Sequence, residues 1–62
     1  MNKDDWKAFL YWLETASDEE LETTLLRIEA RSAAFREEGA KAEARKLMAA
    51  INLERKAREA VR

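Results

Sequence analysis

The chain has 62 residues, of which 40% are charged and 47% hydrophobic, and its net charge is −1. A chain of this length buries only about 60% of its unfolded surface, so such domains often need very good helix packing or a partner. Cysteine and histidine are absent, which excludes disulfides, thiol chemistry and the usual zinc sites. No apolar run approaches the ~20 residues of a membrane span, and the start "MNKDDW" does not resemble a signal peptide. We therefore expect a cytoplasmic protein with no membrane partner.

The first predicted element is a short helix over about residues 3–15. Asn2 can cap this helix, and Asp4 and Asp5 then lie in its first turn, where carboxylates interact favourably with the helix dipole. The segment "WKAFLYWL" at 6–13 contains both tryptophans and the only tyrosine. Its main apolar face has the i, i+3, i+4, i+7 spacing of an amphipathic helix and consists of Trp6, Phe9, Leu10 and Leu13.

Two longer helices are predicted after a tight corner at residues 15–17. The sequence "SDEE" has the form of a capping box, in which the Ser17 hydroxyl and the Glu20 carboxylate each bond a backbone amide of the other residue. Gly39 would end the second helix, over about 18–38, as a left-handed C-cap. A third helix is then expected over about 40–62.

The phase of the apolar residues favours a helical hairpin over one long helix. The stripe of the second helix is Leu21, Leu25, Ile28, Ser32 and Phe35. If the same spacing is continued through Gly39, Leu47 and Ile51 do not fall on it. The apolar stripe after Gly39 therefore lies on a different helical phase from the stripe before it.

The predicted fold class is therefore all-α, with one domain spanning residues 1–62. A short first helix packs on an antiparallel hairpin of two nearly equal arms, which gives a small three-helix bundle. The first helix should cover the end of the hairpin where the second helix begins and the third ends. Its expected contacts are Leu21, Leu25 and Ile28 on one side and Leu53, Ala57 and Val61 on the other.

The chain carries more apolar side chains than one stripe per helix requires. We predict that part of this surplus binds a partner protein, most simply a second copy of the chain in a homodimer, or else a larger protein. The alternative is that these are ordinary scattered surface residues. The predicted partner-binding residues are Tyr11, Trp12, Leu26, Ala30 and Ala33, and the third helix has a similar seam at Ala42, Ala49, Leu53 and Ala60.

Charge is distributed unevenly along the chain. Residues 1–39 carry a net charge of −5 and residues 40–62 a net charge of +4. The basic third helix could bind nucleic-acid phosphates through Arg55, Lys56, Arg58 and Arg62. Internal pairing with the acidic start of the second helix is the favoured alternative, because the pI is about 5.5 and no aromatic residue lies among these basic ones. The acidic residues in question are Asp18, Glu19, Glu20 and Glu22.

No pattern in the sequence predicts catalysis. The adjacent pairs Glu19/Glu20 and Glu37/Glu38 do not face each other on a helix, and there is no glycine-rich phosphate loop. We therefore expect no catalytic residue, cofactor, metal ion or small-molecule substrate. The leading hypothesis is a non-enzymatic adaptor or regulator that acts through protein–protein contacts, and the alternative is a nucleic-acid-associated regulatory protein.

Overall fold

The protein is a bundle of three helices. The structure, a computed structural model, describes residues 2–61, and within that range the helices are α1 (Lys3–Thr15), α2 (Asp18–Ser32) and α3 (Glu38–Val61). No strand occurs between residues 2 and 61. The predicted all-α class and three-helix architecture are confirmed. None of the helices in the described range is long and apolar enough to cross a membrane.

Capping hydrogen bonds form at the starts of α1 and α2, and both helices begin where the sequence predicted. The side chain of Asn2 accepts a hydrogen bond from the Asp5 amide at 2.8 Å. At the start of α2 the Glu20 amide donates to the Ser17 hydroxyl at 3.1 Å, and the Ser17 amide donates to the Glu20 carboxylate at 3.2 Å. This capping box places the corner between α1 and α2 at Ala16 and Ser17.

The end of α2 differs from the prediction, because the helix stops at Ser32 rather than near residue 38. The Ala34 amide donates to the Arg31 carbonyl at 3.0 Å, and the Phe35 amide donates to the Ser32 carbonyl at 3.1 Å. The Ser32 hydroxyl also donates to a backbone carbonyl, that of Glu29, at 3.0 Å. Bonds to the residue three positions earlier tighten the last turn and satisfy carbonyls that an ending helix leaves open.

Gly39 does not form the predicted left-handed cap. It lies in the first turn of α3, and no residue between 2 and 61 has a positive φ. The hairpin itself is confirmed, but its turn spans residues 33–37. The arms are therefore unequal, with 15 residues in α2 and 24 in α3.

The core is small and entirely apolar. Its buried residues are Leu13, Ala16, Leu21, Leu25, Ala44 and Ile51. The side chains packed around the main cluster are Phe9, Trp12, Ile28, Met48 and Ala50. Because two of the six buried residues are alanines, the core holds few large side chains.

Helix α1 lies along α3 rather than only over the end of the hairpin. Trp6 near its start is in contact with Lys46, and the Leu13 carbonyl near its end is bonded to Arg58. The helix thus runs in the same direction as α3. The predicted packing of α1 against Leu53, Ala57 and Val61 is wrong, since all three are exposed. These residues point away from α3's core-facing side, which Ala44 and Ile51 occupy.

Candidate interaction surface

Arg58 joins all three helices at one end of the bundle. Its guanidinium donates to the Glu54 carboxylate, to the Asp18 carboxylate and to the Leu13 carbonyl, each at 2.9 Å. Hydrogen bonds with Asp18 and then Glu54 raise the pKa of Arg58 above its ordinary value. The predicted pairing of the acidic start of α2 with the basic end of α3 is confirmed for Asp18 and Arg58.

The remaining residues of the nucleic-acid hypothesis do not form one exposed basic patch. Arg55 is half-buried and lines a cleft between α2 and α3, and only Lys56 among the described candidates is exposed. Arg62 lies outside the described residues. Arg55 and Arg58 share the cleft with four carboxylates, so its formal charge is negative, which repels phosphate; these carboxylates belong to Asp18, Glu19, Glu22 and Glu59.

The aromatic residues of α1 form a ladder along the helix. The Trp6 and Phe9 ring centroids are 5.5 Å apart, and those of Phe9 and Trp12 are 5.8 Å apart. The Lys46 ammonium lies 4.8 Å from the Trp6 ring centroid, a cation–π contact. This ladder is half-buried, and its Phe9 and Trp12 pack against the core. It accounts for three of the seven apolar or aromatic residues in the segment at 6–13.

The five predicted partner-binding residues do not lie on one surface. Trp12 is half-buried and borders Thr24 of α2. Leu26 is 57% exposed, and at ~100° per residue it lies on the opposite side of α2 from Thr24. Tyr11 is 70% exposed and projects from the far side of α1. Ala30 and Ala33 are exposed, but Ala33 follows the end of α2.

The outward side of α3 is a long exposed surface, which the list of predicted partner-binding residues left out. We define the outer face of α3 as the exposed residues between positions 42 and 60 that lie within about 60° of Leu53 on the helix, namely Ala42, Lys46, Ala49, Leu53, Lys56, Ala57 and Ala60. Leu53 is 69% exposed. The solvent side of an amphipathic helix is normally polar, whereas only two of these seven residues are charged. The sequence predicted the seam of Ala42, Ala49, Leu53 and Ala60, but it did not predict that all four residues are exposed.

The whole molecule exposes more surface than its mass requires. The accessible surface is 4911 Å² for a mass of 7.2 kDa. Folded monomers of that mass typically expose about 4100 Å².

Between residues 2 and 61 no group of three or more carboxylates has the geometry to hold a metal ion. Comparison with protein families, curated proteins and solved structures found no family model, protein or structure that matches this chain.

Proposed function

We propose that this chain is a small non-enzymatic adaptor or regulator that acts through protein–protein contact, with a second copy of itself as the first partner. The observation that carries this proposal is the outer face of α3. It is a helix surface of five apolar residues and two lysines, centred on Leu53, which is 69% exposed. A helix that is apolar on both sides is normally covered on both sides.

The small core supports the same proposal. Between residues 2 and 61 six residues are buried, and among the large side chains of that range only Leu21 and Ile51 are fully buried. A domain with so little apolar burial gains stability when a partner covers more of its surface. A second copy is always present at the same concentration as the first, so self-association needs no other component.

The alternative of nucleic-acid binding has less support. Arg58 is engaged by Asp18, Glu54 and the Leu13 carbonyl. Arg55 lies in a cleft with four carboxylates. Binding of duplex DNA or RNA that weakens steeply with salt concentration would favour this alternative over the proposed function.

The proposal is tested by substitution at the centre of the outer face. Leu53→Glu should lower the melting temperature and remove its dependence on protein concentration, because a charge at this position opposes burial of the face. Thr23→Glu, at an exposed position of α2, is the control and should leave that dependence intact. The measurement is thermal denaturation followed by circular dichroism over a wide range of protein concentrations. A wild-type melting temperature that ignores concentration would contradict self-association.

A further inference from the structure

We propose that α1 is a hinged strap, a helix that lifts off the α2–α3 hairpin about Ala16 and Ser17 while the hairpin stays folded. Lifting uncovers the apolar groove in which α1 lies. The buried residues that the hairpin contributes to this groove are Leu21, Leu25 and Ile51. This opening is independent of the proposed self-association, because the outer face of α3 is not the side that α1 covers.

The packing of α1 on the hairpin involves one narrow side of the helix. Within Lys3–Thr15 only Leu13 is buried, and the rings of the aromatic ladder are half-buried. Leu10 and Tyr11 remain 40% and 70% exposed. Helices α2 and α3 each contain two buried residues. Elements with few buried apolar contacts open at a lower free energy than the rest of the core, so α1 should open first.

The corner at Ala16 and Ser17 has the backbone geometry of a hinge. Both residues are extended, with φ and ψ of −72° and 148° at Ala16 and of −73° and 164° at Ser17. The Ala16 amide donates to the Trp12 carbonyl at 2.8 Å, and the Ser17 hydroxyl accepts from the Glu20 amide at 3.1 Å. The last turn of α1 and the first turn of α2 are thus closed within their own helices. Rotation between Ala16 and Ser17 therefore breaks no helix hydrogen bond.

The polar contacts that hold α1 can be released without loosening the hairpin. Near the end of α1, Arg58 donates to the Leu13 carbonyl at 2.9 Å. The same guanidinium is held separately by a carboxylate of α2 and a carboxylate of α3, so it keeps the two hairpin helices joined when Leu13 leaves. Near the start of α1, the ammonium of the exposed Lys46 lies 4.8 Å from the Trp6 ring centroid. A cation–π contact at an exposed site is weak.

Thiol labelling tests whether α1 opens separately. The chain has no cysteine, and the buried alanines Ala16 and Ala44 are 6% and 4% exposed. Ala16 lies at the hinge, whereas Ala44 precedes the stretch of α3 between Lys46 and Arg58 along which α1 lies. Under native conditions Ala16→Cys should react with a maleimide on the order of tenfold faster than Ala44→Cys. Each rate is first divided by the rate of the same variant in denaturant. Equal protection of the two thiols would overturn the proposal.

A matched pair of lysine substitutions tests the contact at the start of α1. Lys46→Gln removes the cation–π contact with Trp6 and should speed the labelling of Ala16→Cys about two- to fivefold. Lys56→Gln removes the same charge from another exposed position of α3 and should leave that rate unchanged. Neither change should affect the labelling of Ala44→Cys. A parallel rise at Ala44→Cys would show that the whole bundle has loosened and would contradict a separate opening of α1.

The wild type gives a second measurement that needs no cysteine variant. Both tryptophans lie in α1, so tryptophan emission follows this helix. An isolated helix of 13 residues is marginal in water, so α1 unfolds when it lifts. With 15 helical residues in α2 and 24 in α3, about three quarters of the helical ellipticity should remain when the emission reaches its unfolded value in a denaturant titration.

Coincident emission and ellipticity curves would overturn the strap, even if both cysteine variants fail to fold. A wild type that stays monomeric would contradict the proposed function and would leave the strap standing.

Discussion

Arg58 shows how one side chain holds together elements that are far apart in sequence. Its three bonds reach Glu54 on its own helix, Asp18 at the start of α2 and the Leu13 carbonyl near the end of α1. The pairing with Glu54 could be predicted from the i, i+4 spacing, and the pairing with Asp18 followed from the predicted hairpin. The bond to Leu13 could not be predicted, because it depends on α1 lying along α3.

Replacing Arg58 should therefore lower the stability of the protein more than replacing a neighbouring basic residue does. Arg58→Gln cannot make all three bonds, and it leaves the Leu13 carbonyl at a packed helix end without its donor. We expect a lower melting temperature for this variant than for Lys56→Gln, whose side chain is exposed. Thermal denaturation of the two variants at one protein concentration makes the comparison. Equal melting temperatures would show that Arg58 is only a surface charge.

The direction of the pKa shift also limits how pH affects this network. Because the pKa of Arg58 is raised, its contribution to stability is complete below the ordinary arginine pKa and is lost only as the pH rises through the raised value. Arginine keeps its charge throughout the neutral and mildly alkaline range. Deprotonation of Arg58 therefore contributes no loss of stability in that range.

At the scale of the helices, local sequence signals predicted starts better than ends. The side chains of Asn2 and Ser17 form caps within three residues of themselves, so neighbouring residues alone determine where α1 and α2 begin. The end of α2 has no comparable signal, because Ala33 and Ala34 are good helix formers. The turn at 33–37 forms without glycine, proline or positive φ, so the usual sequence signals of a turn are missing there.

The structure reverses the effect expected of Gly39→Ala. A left-handed cap would make this substitution destabilising, but Gly39 is helical, and a Cβ added there meets no atom within 4 Å apart from its chain neighbours and the backbone of its own helix turn. Alanine should instead raise the free energy of unfolding by about 0.5–1 kcal/mol. Chemical denaturation at fixed protein concentration measures it, with Ala8→Gly in α1 as the control for the opposite change. A clear loss of stability in Gly39→Ala would indicate that the turn lies at residue 39 after all.

The candidate surface illustrates what a helical pattern can predict by itself. Periodicity identified the seam at Ala42, Ala49 and Leu53, but it could not distinguish a seam that packs internally from one that stays exposed. That distinction depends on where α1 lies, and the predicted contact of α1 with Leu53 was wrong. Trp12 shows the opposite case, since a predicted partner-binding residue packs partly against the core.

At the scale of the whole molecule, a chain of 62 residues has a small core and correspondingly little apolar burial. The Cα trace extends over 39 × 24 × 16 Å, and its long dimension follows α3, whose 24 residues span about 36 Å at ~1.5 Å each. Helices α1 and α2 are shorter and cover one side of α3. The other side, the outer face, is exposed along most of its length. A second copy would make α3 the central element of a bundle of six helices.

Molar mass as a function of concentration tests this account most directly. We predict by light scattering a mass that rises with concentration from 7.2 kDa toward twice that value, with half the chains paired at micromolar concentrations. Leu53→Glu should stay near the lower mass over the same range, because it places a charge at the centre of the face. A wild-type mass that remains at 7.2 kDa at the highest concentrations reached would contradict the claim that a second copy covers the outer face of α3.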